Sequence, residues 1–318
     1  MNDASTTHRP AWPAELSTEE ILARMSYVGD AVDVSSAEGR MLKRTITRGI
    51  LHLVWRNLIR RIKAGSGKRS AEYVSDLYQG SYAESFDETK VTRMFKSFET
   101  LGRTNLYRIN GETIVRSDTR DFVRFNAYRL RDAVSALQPS SVCEIGFGSG
   151  NKLLYLANQF PEIACSGYEL TEAGTTLARR LQAMDDLPTT PYGSYFGFDA
   201  AGMDNVRRVA LNVGSAFDLP CEDNAYDLVY TSSALEQMQD GLPRALSEIR
   251  RVSRRHVLMF EPFGDFNDRL GQVYLWSVDY FRMRSAELEK HGLRPVATWH
   301  NYPIKPTFAF GMVLAEVV

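Results

Sequence analysis

This sequence predicts an α/β fold built on a doubly wound, mostly parallel sheet. Three observations predict it. After Pro139, short apolar runs alternate with helical patterns; the first run ends in a glycine-rich turn that leads straight into a helix; and the second ends in a carboxylate. The runs are Val142 to Ile145, Ala164 to Glu169, Val209 to Val213, Asp227 to Thr231 and His256 to Phe260. A helix near Ser285 to Lys290, a strand at about Arg294 to Trp299 and an apolar strand from Thr307 to Val318 complete the pattern as seven strands. At 318 residues, 44% hydrophobic and 24% charged, the chain has a globular composition that excludes disorder, collagen and a disulfide mini-fold. With 38 Lys and Arg against 39 Asp and Glu, any charge signal must be local. No apolar run approaches the ~20 residues of a bilayer-spanning helix, and the N-terminus lacks a signal pattern, so the expected location is cytoplasmic. Cys143, Cys165 and Cys221 have no CxxC spacing, so neither a disulfide nor a thiolate metal site is expected, and no metal is assigned.

Ahead of this lie two other regions. Residues 1–16 are short, polar and punctuated by Pro10 and Pro13, and read as a disordered tail that includes His8. Residues 17–137 read as a mainly helical region. Ser17 and Glu20 have capping-box spacing and start a short helix. From Arg40 to Lys63, Leu42, Ile46, Ile50, Leu51, Val54, Leu58 and Ile62 recur at helical steps, while Arg40, Lys43, Arg44, Arg48, Arg56, Arg60, Arg61, Lys63, Lys68 and Arg69 meet no acid before Glu72. That basic helix reads either as a solvated face docked on the acidic remainder or as a contact for an anionic membrane surface (residues 40–63) or RNA. Gly65-Ser66-Gly67-Lys68 lacks the earlier glycine of a phosphate loop and reads as a linker. A second capping pair, Ser85 and Glu88, precedes an apolar stripe from Val91 to Leu101 that stops at Gly102. A hairpin near 106–116 turns on Asn110-Gly111, the pair suited to a type I′ turn. Asp118 then caps a helix through Phe122, Phe125, Leu130, Val134 and Leu137, which Pro139 ends.

Residues 138–318 carry the chemistry. The first strand ends in Glu144-Ile145-Gly146-Phe147-Gly148-Ser149-Gly150-Asn151 and runs into a helix from Lys152. Absent side chains at alternate positions let backbone approach a ligand at the carboxyl edge of the sheet. A dinucleotide fingerprint would need its third glycine where Asn151 stands; G-x-G-x-G preceded by an acid is satisfied in full, which disfavours NAD. Glu169 ends the second strand at the ~20-residue interval where a carboxylate accepts from ribose hydroxyls.

Together with Tyr168-Glu169-Leu170, Val213-Gly214-Ser215-Ala216-Phe217-Asp218-Leu219-Pro220, the segment from Ala225 to Gln237 and that from Ala245 to Val252, this loop resembles the class I S-adenosylmethionine-dependent methyltransferases. The resemblance spans about residues 138–264 and is nearest to the small-molecule branch that includes the quinone-biosynthesis C-methyltransferases. It implies a Rossmann-like sheet whose last strand is antiparallel, and S-adenosylmethionine as cofactor. It places Glu144, Gly146, Phe147, Gly148, Gly150, Glu169, Leu170, Ser215, Ala216, Phe217, Thr231 and Ser232 against that cofactor, and Gln237 and Tyr302 on the substrate side. Glu144 at a buried strand end also suits a plain anchor for loop N–H groups. Two departures stand out: Ser215 replaces the frequent Asp on the adenine side, shifting recognition toward backbone at Ala216 or Phe217, and Gln237 stands where the family often has His.

The implied activity is methyl transfer to a small organic acceptor in secondary or specialised metabolism, through an oxygen, nitrogen or carbon nucleophile. Alignment and water exclusion would supply most of the rate. For a proton acceptor the candidates are His300, which follows the sixth strand, and Glu261, just past the fifth; His256 and His291 belong at the opposite edge. The region before residue 138 is expected to act as lid, substrate wall or homodimer contact. The insertion between about Leu187 and Arg208, with Tyr192, Tyr195, Phe196 and Phe198, reads as an aromatic flap or as a packed loop. Two other functions fit the chain. One is an RNA methyltransferase using residues 40–69, disfavoured because Thr231-Ser232-Ser233-Ala234 departs from the motif of base-amino methylation; the other is a non-catalytic scaffold.

Overall fold

The computed structural model describes residues 15–64, 75–80, 104–300 and 307–318. The tail up to residue 14 with His8, the Gly65–Lys68 linker, the Ser85/Glu88 helix with its stripe, and Tyr302 lie outside the described residues.

Among the described residues, ten strands form two sheets. The larger contains β4 (Ser141–Ile145), β5 (Ala164–Glu169), β6 (Ala210–Val213), β7 (Tyr226–Ser232), β8 (Ser253–Glu261), β9 (Leu293–Trp299) and β10 (Gly311–Val317), in the order β6-β5-β4-β7-β8-β10-β9. The first five in that order are parallel, while β10 runs antiparallel to both β8 and β9, as expected. Helices cover both faces, so the strands read as continuous apolar runs whose alternate residues enter different cores. Leu228, Tyr230, Leu258, Phe260, Met312 and Leu314 pack into one core; Val229, Val257, Met259, Val313 and Ala315 pack into the other.

The smaller sheet has the order β1-β3-β2, from β1 (Tyr27–Asp33), β2 (Thr104–Ile109) and β3 (Thr113–Asp118). Its hairpin turns as predicted: Asn110 and Gly111 both have positive φ, at 48° and 78°, and the Glu112 N–H donates to the Ile109 carbonyl at 3.0 Å. Strand β1 was not legible in the periodicity.

Helix α1 (Thr18–Leu22) begins with the reciprocal Ser17–Glu20 capping box, and α2 (Ala37–Ala64) is the long basic helix. Helix α3 (Asp121–Leu137) starts two residues later than the Asp118 cap implies, with Arg120 at the N-cap. Asp118 instead accepts from the Arg120 N–H at 2.8 Å and pairs with its guanidinium. The Gln138 C-cap takes a left-handed conformation before Pro139. Helices α4 (Asn151–Gln159) and α5 (Glu172–Gln182) follow β4 and β5.

The insertion is packed. Helices α6 (Pro191–Phe196) and α7 (Met203–Arg207) bury Tyr192, Phe196 and Phe198 in the core shared with α3 and α4. The Tyr192 hydroxyl bonds to Asn151 Oδ1, and Tyr195 donates to Asp121 Oδ1 at 2.5 Å. Asp121 is fully buried and also accepts from Ser26 N–H, the Ser117 hydroxyl and the Arg124 guanidinium, so one carboxylate joins four parts of the chain. That donor set is what makes burial of a charge tolerable there. Tyr195 itself lies under Arg124, whose guanidinium carbon is 4.2 Å from the ring centre.

Gly167, in the middle of β5, tests how closely strand and loop are packed. A Cβ added there would lie 2.7 Å from both Leu153 Cδ2 and Phe147 Cδ1. Gly167→Ala is expected to cost about 1–3 kcal/mol, read as a lowered urea midpoint with unchanged m-value.

Candidate active site

The chain winds outward from β4 in one direction through β5 and β6, and in the other through β7 and β8. The switch point therefore lies between β4 and β7, and a crevice forms at their carboxyl ends. A cavity of about 600 Å³ occupies that edge, within the range usual for small-ligand sites.

Its floor is the bend from Gly146 to Gly150. Gly146, Gly148 and Gly150 all have positive φ, at 77°, 58° and 78°. A Cβ on Gly146 would sit 2.6 Å from that of Ala234, so side chains are excluded by space as well as by backbone conformation. Glu169, at the end of β5, pins the bend: Oε2 accepts from the Gly148 N–H at 2.9 Å, while Oε1 accepts from the Thr171 N–H at 3.0 Å and hydroxyl at 2.7 Å. The carboxylate still lines the cavity, and Oε2 retains a lone pair for a ligand hydroxyl.

Behind the wall, Glu144 is fully buried. Its Oε2 accepts from the Tyr230 hydroxyl at 2.7 Å, its Oε1 has no hydrogen-bond partner, and Lys152 Nζ stands 3.6 Å from that oxygen. Burial pushes the Glu144 carboxyl above its ordinary range, and the Lys152 ammonium and Tyr230 hydroxyl pull against it. Lys152 reaches the cavity and is the one cationic side chain among the described lining residues.

Of the other residues expected at the cofactor, Phe147, Leu170, Ser215, Ala216, Phe217 and Ser232 line the cavity with Gly146 and Gly148. Gly150 and Thr231 lie outside the lining. The Ser215 hydroxyl is engaged in its own turn, accepting from the Phe217 N–H at 3.2 Å, which agrees with a weakened side-chain role on the adenine side. Ser233 lines the cavity in a left-handed conformation, φ 57°, and its N–H donates to the Phe260 carbonyl at 3.0 Å. Gln237 is on the wall, its amide donating to Glu236 at 3.2 Å.

The two residues expected to handle protons are placed elsewhere. Glu261 is fully buried, does not line the cavity, and accepts from the N–H groups of Ala234, Leu235 and Glu236 at 3.1, 3.2 and 3.3 Å. It shapes the turn after β7. His300 is exposed and packs edge-on against Phe266, 4.6 Å between ring centres, also outside the lining. None of the described histidines, His52, His256, His291 and His300, borders the cavity.

The rest of the wall escaped sequence reasoning. Phe122, Val123 and Asn126 come from one face of α3, Tyr78 from the helical turn at 75–80, and Met238 from the segment after β7. Asn126 is 3% exposed and its Oδ1 has no hydrogen-bond partner among the described residues. A buried amide at helical spacing from Phe122 was the one available signal. Together these groups fit a nucleoside joined to an amino acid: a side-chain-free cradle, a carboxylate at ribose reach, and a cation backed by an orphaned carboxylate oxygen.

Residues 143–260 match the family model described as a methyltransferase domain. Ajmaline N-methyltransferase from Rauvolfia serpentina is 27% identical over 116 residues, which are 36% of this chain and 33% of that protein. The chain thus spans about a third of the length of the curated relative it matches. Among solved structures, the cyclase SpnF is 15% identical with a TM-score of 0.51, covering 79% of this chain and 97% of that one, a likeness of fold. The geranyl diphosphate C-methyltransferase from Streptomyces coelicolor A3(2) is 12% identical with a TM-score of 0.45, covering 63% of this chain and 81% of that one.

Burial pushes the Glu261 carboxyl up to about 7, outweighing its three backbone donors. Raised above the unfolded value of 4.5, it binds its proton more tightly in the folded state, so its contribution is fully present below that value and is lost as pH rises to about 7. Urea midpoints of the wild type measured against Glu261→Gln should converge or reverse across this window by on the order of 3 kcal/mol, and run parallel above it.

Proposed function

From the match of residues 143–260 to the methyltransferase-domain family, we propose that the protein transfers a methyl group from S-adenosylmethionine to a small organic acceptor. The observation that carries this reading is the Glu169 carboxylate, held against the glycine bend and open to the cavity. Bound there, S-adenosylmethionine supplies a methyl group already activated by its sulfonium.

What the chain's own residues then do is bind, align and exclude water. Glu169 takes the ribose hydroxyls, and the bend lets the donor lie against backbone. Ala216 and Phe217 border the adenine end. Lys152 meets the carboxylate of the amino-acid end, with Glu144 Oε1 3.6 Å behind it. Phe122, Val123, Tyr78 and Met238 form an apolar acceptor wall, so part of residues 17–137 acts as substrate wall.

The acceptor is a nitrogen nucleophile in this reading. A neutral amine attacks without prior loss of a proton, and no described histidine lines the cavity to remove one. The Asn126 Oδ1, buried and unpartnered, suits an N–H donor on the acceptor. The relative named as an N-methyltransferase is consistent with this choice. With no described histidine on the lining, a proton released by the methylated amine would be left to solvent.

Calorimetry provides the test. Wild-type protein should bind S-adenosylhomocysteine, and Glu169→Ala should weaken it by about 2 kcal/mol or more, roughly thirtyfold. Absence of binding to the wild type would leave a non-catalytic scaffold as the function. Lys152→Gln should weaken S-adenosylhomocysteine by about tenfold while leaving methylthioadenosine, which lacks the amino-acid end, unchanged.

A further inference from the structure

Helix α2 buries one side and leaves the other to solvent. Ile50 and Val54 are buried, the helix packs against α8 (Arg269–Ser277), and Asn57 donates to the Ser277 hydroxyl at 3.1 Å. On the outward side, Met41, Arg44, Arg48, Leu51, Trp55, Ile59 and Ile62 follow at steps of three and four and therefore share one face. Trp55 is 64% exposed and Ile62 81%, and Met41 and Leu51 are also exposed. Such exposure of large apolar side chains along one helix marks a contact surface.

The cations on this helix decide what it contacts. Arg44, Arg48 and Arg56 are exposed, and none has a carboxylate partner among the described residues. The docking of this basic face onto acidic parts of the same chain, one of the readings its sequence allowed, is therefore not seen for these three among the described residues. A second copy pressed against the same face would bring like-charged guanidinia together. Nucleic acid would answer the arginines and stack on Trp55, yet leave Met41, Leu51 and Ile62 without an apolar partner. An anionic bilayer answers both, with headgroup anions at the guanidinia and the acyl boundary for the apolar side chains.

We propose that the outward face of α2 seats the protein on an anionic lipid surface, the helix lying in the plane of the headgroups. Among the described residues no helix is long and apolar enough to cross a membrane, so the contact is a surface one. It stands independently of methyl transfer.

The full chain is sedimented with vesicles of phosphatidylcholine alone and of phosphatidylcholine and phosphatidylglycerol in equal parts, at low and high salt. The protein should pellet with the anionic vesicles and be released by salt. Replacing Arg44, Arg48 and Arg56 by Gln, or Leu51 and Trp55 by Ser, should each weaken binding about tenfold or more, with circular dichroism unchanged. Lys290→Gln, at an exposed cation elsewhere, should have no effect. If the multiple variants do not fold, Trp55→Phe serves: anionic vesicles should shift the wild-type tryptophan emission to the blue, and this variant should lose that shift. Failure to pellet, equal binding to neutral vesicles, an equal effect of Lys290→Gln, or an emission shift independent of Trp55 each overturns the proposal. So does retention on polyuridylate, or Trp55-dependent self-association, without vesicle binding.

Discussion

The hydrogen bonds between the Glu169 carboxylate and the backbone of Gly148 and Thr171 are the constraint on which the cavity depends. A bend of glycines with positive φ has much backbone entropy to lose and no side chains to hold it. It is tied at three places: Gly146 N–H to the Tyr168 carbonyl at 2.7 Å, Gly148 N–H to Glu169, and Gly150 N–H to the Phe147 carbonyl at 2.9 Å. Two of the three anchors belong to the end of β5. The strand that supplies the Glu169 carboxylate thus also sets the shape of the floor before any ligand arrives, which is preorganisation in the physical sense.

How much of the fold was legible followed from how each segment meets its surroundings. Strands covered on both faces announce themselves as apolar runs, so β4, β5, β7 and β8 were placed to within a few residues. The Asn110-Gly111 turn was legible because its chemistry is local. Strand β1 was not, because it is an edge strand whose residues after Tyr27 are mostly exposed, with Gly29 at φ 75° and a register shift between Val28 and Val32. An irregular, solvent-facing strand has no alternation to detect. The aromatic insertion lay between: its residue types announced contact, but only packing against α3 and α4 decides that the contact is core.

The site divides in the same way. One half of the cavity lining is a run of adjacent residues whose spacing carries the geometry, so the sequence points to it. The other half is assembled from α3, the turn at 75–80 and the segment after β7, which no short motif joins. Glu261 and His300 show the limit of arguing from strand ends. Position along a strand brings a residue to the right edge, but the rotamer decides which group it meets. For Glu261 the backbone N–H groups of residues 234–236 are the nearer partners.

Asp121 sits one residue from Phe122 on the acceptor wall and shares its buried charge among Ser26, Ser117, Arg124 and Tyr195. Neither the leading segment nor the inserted helices can be exchanged as a cassette without stranding that charge. A replacement at Tyr195 or Ser117 removes one donor from this hub, so repacking beside the cavity wall is physically coupled to segments far apart in the chain.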